Sequence, residues 1–127
     1  MNIGTGDLDR AVTFYTAVFA PMGIALKFHE RDMRWAGWMS GEDWPLFIVG
    51  EPENGDAHAP GNGQMVAFEA ATRATVTACH HAALAHGGVC EGAPGLRPQY
   101  HPAFFGAYFR DPDGNKICIC CHAADAD

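Results

Sequence analysis

The residues best suited to chemistry lie near the C-terminus of the chain. Three cysteines and a histidine occur within five positions, namely Cys118, Cys120, Cys121 and His122. Because successive side chains of a β-strand point to opposite faces, Cys118, Cys120 and His122 share one face. Ile117 and Ile119 share the other face with Cys121. The isoleucine face is typical of a core, whereas the face with two thiols and an imidazole either lines a site or is an unusually polar packing surface.

Two kinds of chemistry fit the thiol face. Thiolates and imidazoles bind soft or borderline metal ions, so Cys118, Cys120 and His122 could hold Zn or Cu(I). Met65 would close such a site with its thioether. Alternatively, Cys118 could act as a nucleophile or redox thiol if a nearby cation or imidazole lowered its pKa. The structural alternative to both hypotheses is that small, polarisable side chains fill the floor of an apolar pocket.

Further candidates lie on other segments. Glu69 could act as a general base on a bound small molecule, or could be a solvent-facing carboxylate at a strand end. The stretch from Arg97 to His101 is cationic and aromatic between prolines, which suits recognition of an anionic or planar ligand. It could instead be a structural loop whose Arg97 pairs with a surface carboxylate. The predicted catalytic residues are Glu69 and Cys118, and the predicted ligand-binding residues are Met65, Trp38, Arg97, Tyr100, His101, Tyr108 and Cys120.

The tryptophans allow a prediction about which side chain faces the cleft. Trp35 and Trp38 have opposite parity on one predicted strand, so one should pack on a helix while the other faces a cleft. We assign Trp38 to the ligand site. Trp44 lies beside the next strand and could belong to either surface.

The first half of the chain has one helix among short strands. Asp7 is a good N-cap for a helix whose apolar residues recur at helical spacing as far as Met22, and Pro21 and Gly23 end it. Strands are predicted over the first four or five residues and over 24–29, 33–40 and 45–49. Residues 50–63 are a loop by composition.

The same order of elements then recurs. A strand at 65–70 precedes a helix that is capped by Thr72 and ends at Gly87–Gly88. Strands follow over 89–91, 104–110 and 115–121. The last two form a hairpin through Asp111–Asn115, in which Gly114 takes the left-handed conformation. The chain is therefore predicted to be one domain, 1–127, with module one at about 1–50, a linker at about 51–63 and module two at about 64–122.

This doubled βαβββ order resembles the vicinal oxygen chelate superfamily, which includes glyoxalase I, bleomycin- and fosfomycin-resistance proteins and extradiol dioxygenases. The resemblance is carried by Gly6–Ala11 with Phe14-Tyr15, by Met65–Glu69 and by Asp111–Asn115. The stretch Ala93–Pro102 is similar to a loop of a glyoxalase-like branch. The resemblance implies an α+β fold in which two βαβββ modules form one curled eight-stranded mixed sheet with a central cleft and helices outside.

The resemblance also implies a divalent metal in the cleft, held by a His on the first strand, a His on the strand that opens module two and a Glu on the last strand. Carried onto this chain, the first His would precede Met1, where a longer N-terminus would restore it. The second falls on Met65 and the Glu falls on Cys118. The usual ligand set is therefore degenerate, and the cofactor is left open between none and Zn or another divalent or soft metal.

Two functions are consistent with this degenerate ligand set. The first is a small-molecule binding protein that uses the inter-module cleft without the usual metal. The alternative is an active metal-dependent lyase, isomerase or dioxygenase with a soft-ligand site.

Composition limits the partners. A net charge of −7, from 8 basic and 15 acidic residues, argues against nucleic acid or an anionic membrane. Five cysteines, an odd number clustered on one strand, favour a reducing compartment and a cytoplasmic protein. No apolar stretch is long enough to span a bilayer. The expected partner is a small molecule, and the resemblance implies a homodimer.

Overall fold

The fold is α+β and consists of two βαβββ modules, as predicted. The computed structural model describes residues 1–40 and 46–123, so Trp44 and the first residue of the predicted strand 45–49 lie outside it. Module one contains β1 (Asn2–Gly4), α1 (Leu8–Phe19), β2 (Ala25–Glu30), β3 (Trp35–Met39) and β4 (Leu46–Gly50). Module two contains β5 (Val66–Glu69), α2 (Arg73–Ala85), β6 (Val89–Leu96), β7 (Phe105–Arg110) and β8 (Lys116–Cys121).

The helix ends follow the capping residues. The Asp7 carboxylate accepts from the Arg10 backbone N–H at 3.1 Å, and the Thr72 hydroxyl accepts from the Thr75 backbone N–H at 3.1 Å. Helix α1 ends at Phe19, three residues before the predicted end, because a 3₁₀ turn over Ala20–Met22 replaces its last turn. No helix within residues 1–40 and 46–123 is long and apolar enough to cross a membrane.

The strands form two four-stranded mixed sheets. The first has the order β1-β4-β3-β2 and the second has the order β5-β8-β7-β6. In each sheet the strand that opens the module pairs in parallel with the last strand, and the other pairs are antiparallel. The eight strands are thus hydrogen-bonded as two sheets of four, neither of them closed, in place of one continuous sheet.

The two helices pack against one face of each sheet, which we call the helix face; the other is the open face. Phe19 of α1 contacts Phe47 of the first sheet and Phe68 of the second, with ring centroids 5.4 and 5.1 Å apart. Ile117 and Ile119 are fully buried in the same core, together with Cys121. The predicted alternation along β8 is therefore confirmed, and Cys118 and Cys120 lie on the open face.

Strand β6 is longer than predicted. The sequence predicted 89–91 as the strand and 93–102 as a loop, but the strand continues to Leu96 with register shifts on both sides of Gly92. Pro94 is tolerated because β6 is the edge strand of its sheet, where an outward N–H needs no partner. The turn that begins at Arg97 is consequently short, and the Arg97 N–H donates to the Phe104 carbonyl at 2.8 Å.

The turn between β7 and β8 holds the modules together. The buried Asp111 carboxylate accepts the Tyr15 hydroxyl from α1 as well as two backbone N–H groups of its own turn. Asp113 accepts from Gly6 N–H and from the Arg10 guanidinium, both at 2.8 Å. We call this set of contacts the clamp. The conformation of Gly114 is as predicted, with φ at 87°.

Candidate functional site

The candidate site lies on the open face of the second sheet. Tyr108 of β7 lies opposite Cys118 of β8, and Glu69 of β5 lies opposite Cys120. Residues opposite one another in register share a face, so these four side chains form one surface. Cys118 and Cys120 are buried at its floor, Tyr108 is half-buried and Glu69 is exposed.

Two cations flank the Tyr108 ring. The Arg97 guanidinium carbon lies 5.5 Å from the ring centroid and the Lys116 ammonium lies 5.7 Å from it. Arg97 is held in place by a 2.8 Å hydrogen bond from Nη2 to the Ala93 carbonyl. Sequence reasoning had singled out Arg97 and Tyr108 but missed Lys116, although its place two residues before Cys118 on the same strand face was a usable signal.

Glycines on β6 make room for the guanidinium. A Cβ on Gly92 would lie 3.2 Å from Arg97 Nη2 and 3.0 Å from the Tyr108 ring, and a Cβ on Gly95 would lie 3.1 Å from Arg97 Nη1. A side chain at either position would therefore require the Arg97 guanidinium to shift by a few tenths of an ångström. The flat, glycine-containing edge strand is what allows the guanidinium to lie across the open face.

Neither cation has a carboxylate partner among the described residues. Within 1–40 and 46–123, four arginines do lie near carboxylates, namely Arg10, Arg31, Arg34 and Arg110. The alternative in which Arg97 pairs with a surface carboxylate is thus not what the structure shows. Two uncompensated positive charges on one face stand out in a chain of net charge −7.

Aromatic and imidazole rings border the thiols. His101 Nε2 and His122 Nδ1 are 2.8 Å apart with the rings stacked, and Tyr100 packs against Phe104 at 5.1 Å between centroids. His122 Nε2 lies 3.8 Å from Cys120 Sγ. The structure therefore brings together most of the predicted site residues; those that it gathers on this surface are Glu69, Arg97, Tyr100, His101, Tyr108, Cys118, Cys120 and His122.

The acidities of the floor residues argue against a thiolate nucleophile. The pKa of Cys118 is raised to about 12, first by burial and then by the neighbouring Cys120, while a hydrogen bond with Tyr108 and the charge of Arg97 lower it by less. Burial also raises the pKa of Cys120, and it raises that of Tyr108 to about 12. Cys118 is therefore protonated at neutral pH, so the predicted role as an activated thiol is not favoured by its surroundings.

The donor set does not fit the metal that the fold suggests. No group of three or more His, Cys, Asp or Glu side chains in the described ranges is placed to hold an ion. His122 Nδ1 is 2.8 Å from His101 Nε2, and His122 Nε2 is 3.8 Å from Cys120 Sγ. Met65, carried over as a second ligand, is 47% exposed, whereas Cys118 is 2% exposed.

Met65 belongs to a cleft between the modules. This cleft has a volume of about 520 Å³ and is lined by Met1–Ile3 of module one and by Met65 and Lys116 of module two. Lys116 thus borders both the cleft and the Tyr108 ring. The inter-module cleft and the open face of the second sheet meet at this lysine.

Trp38 does not face this site, which corrects the assignment made from sequence. It is fully buried on the helix face of the first sheet, where it packs against Tyr15 and Phe19. Of the two described tryptophans, Trp35 is the one on the open face, and its ring lies 5.6 Å from that of Phe28. Parity correctly separated the two tryptophans, but it could not tell which face the helix covers.

The fold described above is that of a known superfamily. The family model of the Glyoxalase/Bleomycin resistance protein/Dioxygenase superfamily matches residues 1–119, and the chain belongs to that superfamily. No significant match was found among curated proteins.

Solved structures agree with this assignment. A glyoxalase/bleomycin resistance protein from Albidiferax ferrireducens T118 is 32% identical over 96% of this chain and 95% of that chain, with a TM-score of 0.83. A glyoxalase-related enzyme from Fulvimarina pelagi is 22% identical over 100% and 92%, with a TM-score of 0.75. A lactoylglutathione lyase from Agrobacterium tumefaciens is 19% identical over 95% and 90%, with a TM-score of 0.65. The last two likenesses show the fold.

Proposed function

We propose that this protein binds a small anionic molecule with a planar portion on the open face of its second sheet, next to the inter-module cleft, and does so without a divalent metal. The observation that carries the proposal is the pair Arg97 and Lys116, which flank Tyr108 and have no carboxylate partner in the described ranges. Two such charges attract an anion, and the rings of Tyr100 and His101 nearby offer aromatic surface for a planar portion.

The rest of the surface is consistent with such a ligand. The buried thiols of Cys118 and Cys120 provide a polarisable, uncharged floor, since their raised pKa values keep them protonated. Tyr100 and His101 on the adjacent turn supply further ring surface at the border. The cleft of about 520 Å³ beside Lys116 is large enough to accept the remainder of a small molecule.

The metal-dependent alternative, a lyase, isomerase or dioxygenase with soft ligands, lacks a converging donor group in the described ranges. If the ligand is also a substrate, Glu69 is the predicted general base, because it lies on the same face as the cations.

A homodimer and a cytoplasmic location, expected from the sequence, stay predictions. Light scattering on the purified protein tests whether it is a homodimer.

Calorimetric titration tests the proposed site. We would titrate a panel of aryl carboxylates and aryl phosphates, each matched with a neutral amide or alcohol of the same size. We expect the anions to bind, and Arg97→Gln and Lys116→Gln each to weaken binding at least tenfold, which is about 1.4 kcal/mol or more. Lys27→Gln is the matched control, because Lys27 is an exposed lysine of module one. Equal affinity for anions and neutral partners would contradict the proposal.

A measurement of metal content distinguishes metal-free ligand binding from the soft-ligand metalloenzyme alternative. We would measure the metals in reduced, untagged wild-type protein and in Cys118→Ser, and would repeat the best titration after treatment with a chelator. The proposal expects no stoichiometric transition metal and unchanged ligand affinity. A stoichiometric metal that is lost in Cys118→Ser would instead support the soft-ligand alternative.

A further inference from the structure

A thiol and an imidazole lie together at the edge of module two, on the other side of the sheet from the proposed ligand site. Cys90 belongs to the edge strand β6 and His80 belongs to α2, and their Sγ and Nε2 atoms are 3.3 Å apart. Cys90 is paired in register with Phe109, which is buried in the core. The pair therefore lies on the helix face of the second sheet, whereas Tyr108 and its two cations lie on the open face.

The two members of this pair differ in exposure. All five cysteines lie within the described ranges, and Cys90 is exposed while the other four are buried. His80 is only 7% exposed, and its ring packs edge-on against Phe109 with the centroids 6.4 Å apart. A buried imidazole that is held in place beside an exposed cysteine is the arrangement by which proteins activate a thiol for attack on an electrophile.

The imidazole is able to accept a proton from the thiol. Burial and, to a smaller extent, the neighbouring His81 lower the pKa of His80 from its ordinary value of 6.5, so the ring is neutral at neutral pH. A neutral imidazole has one nitrogen that accepts a hydrogen bond. When the ring proton is on Nδ1, the accepting nitrogen is Nε2, which is the atom next to Cys90 Sγ.

We propose that Cys90 is a site of reversible exchange with low-molecular-weight disulfides, with His80 as the base. The Sγ–H proton passes to His80 Nε2, and Sγ attacks one sulfur of the incoming disulfide. A new S–S bond forms at Cys90, the original S–S bond breaks, and the second sulfur leaves with the electron pair and takes up a proton. Cys90 is thereby oxidised to a mixed disulfide while the incoming disulfide is reduced to one thiol, so the step needs no other oxidant. It is independent of the proposed anion site.

The rate of reaction with dithiodipyridine, a neutral aryl disulfide with a coloured leaving group, tests this proposal. Mass spectrometry should find the first mixed disulfide on Cys90. The matched comparison is the double variant Cys90→Ser with Val89→Cys. Its thiol replaces a side chain that is 61% exposed on the same strand, but it points to the face away from His80. We expect Cys90 to react at least about tenfold faster than this thiol. Equal rates in the two folded proteins would overturn the proposal.

Histidine variants identify the base. His80→Gln keeps a polar side chain but cannot take up a proton at neutral pH, so it should slow Cys90 to the rate of the Val89→Cys thiol. His86→Gln is the control on the same helix, because the His86 ring is bonded to the Ala82 carbonyl, and it should change the rate by less than about twofold. In urea, wild type and His80→Gln should react equally. An undiminished rate in folded His80→Gln contradicts the proposal, and if this variant does not fold, the Val89→Cys comparison decides.

Discussion

The two modules share one order of elements but differ in what their open faces present. In module one, the Phe28 ring covers Gly37 so closely that a Cβ there would lie 2.5 Å from it, and Trp35 donates to Glu30 at 2.6 Å. Its aromatic and polar groups are thus matched to each other. In module two, Arg97 and Lys116 flank Tyr108 and have no carboxylate partner among the described residues.

This contrast shows that duplicated architecture does not imply duplicated chemistry. The helix faces of both sheets contribute to one core, and the faces that pack on it are apolar in both modules. The open faces are free of that constraint. The open face of module one carries matched groups, such as Trp35 with Glu30, whereas that of module two carries two cations without a carboxylate partner among the described residues.

The largest effect on stability is expected when the contacts of the clamp between the two modules are removed. Asp111→Ala removes a buried carboxylate that accepts from Tyr15 and from its own turn. We expect the free energy of unfolding to fall by about 3–5 kcal/mol, because buried donors are left without an acceptor. Urea denaturation measures this. Asp56→Ala in the exposed linker is the control, and a loss below about 1 kcal/mol in Asp111→Ala would show that the clamp is unimportant.

Alkaline pH should lower the stability of the domain, in part through two buried thiols of module two. Burial raises the pKa of Cys79 and of Cys118 to about 12 from 9.0, and both belong to module two. Because the folded state holds these protons more tightly than the unfolded state, their contribution is complete below pH 9.0 and is lost as the pH rises towards 12. We expect a loss on the order of a few kcal/mol over that range, measured by urea denaturation at several pH values.

Thiol variants provide the control for the pH experiment. Cys79→Ala and Cys118→Ala each remove one titrating group, so each should flatten the fall of stability with pH. Tyr15, in module one, also has a pKa raised well above its usual value by burial and by Asp111, and Tyr15→Phe should flatten the curve at higher pH. An unchanged pH profile in both cysteine variants would contradict the assignment.

A pair of aromatic substitutions sharpens the contrast between the open faces. Phe28→Ala should cost roughly 1–2 kcal/mol of stability, since it uncovers Gly37 and the Trp35 ring, and should leave anion binding unchanged. Tyr108→Ala should weaken anion binding at least tenfold, because it removes the ring between the two cations. Denaturation and calorimetry on both variants measure the two effects. An equal loss of anion binding in Phe28→Ala and Tyr108→Ala would mean that the open faces of the two modules do not differ in anion binding.

The smallest effect is expected for Tyr108→Phe. This change keeps the ring that contacts Arg97 and Lys116 and removes only the hydroxyl next to Cys118 and Tyr100. Affinity for the anionic probes should change by less than about threefold. A tenfold loss in the same calorimetric titration would mean that the hydroxyl, and not the ring, contacts the ligand.

Features fixed by local chemistry could be predicted from the sequence. The hairpin turn at Asp111–Asn115 sets the register of β8, so the faces of Cys118 and Ile119 followed from simple alternation. Asp7 and Thr72 marked the starts of both helices for the same reason, because capping depends on neighbours in sequence.

Features fixed by distant contacts could not be predicted. Alternation separates Trp35 from Trp38, but only the packing of α1 decides which of them is buried. The extension of β6 through Pro94 depends on that strand being at the edge of the sheet. Similarly, the acidity of Cys118 depends on its burial, and the lack of a carboxylate partner for Arg97 within residues 1–40 and 46–123 depends on where the acidic residues of those ranges lie.

The two glycines next to Arg97, Gly92 and Gly95, help to distinguish relatives from one another by sequence. A Cβ on Gly92 or Gly95 would lie 3.0 to 3.2 Å from the Tyr108 ring or the Arg97 guanidinium, so these side chains would have to shift by a few tenths of an ångström. A lineage that replaces these glycines would therefore keep the fold while changing how Arg97 lies against the ring. Two glycines on an edge strand followed by an arginine thus form a signature by which relatives that could carry the proposed anion site can be told from those that share only the scaffold.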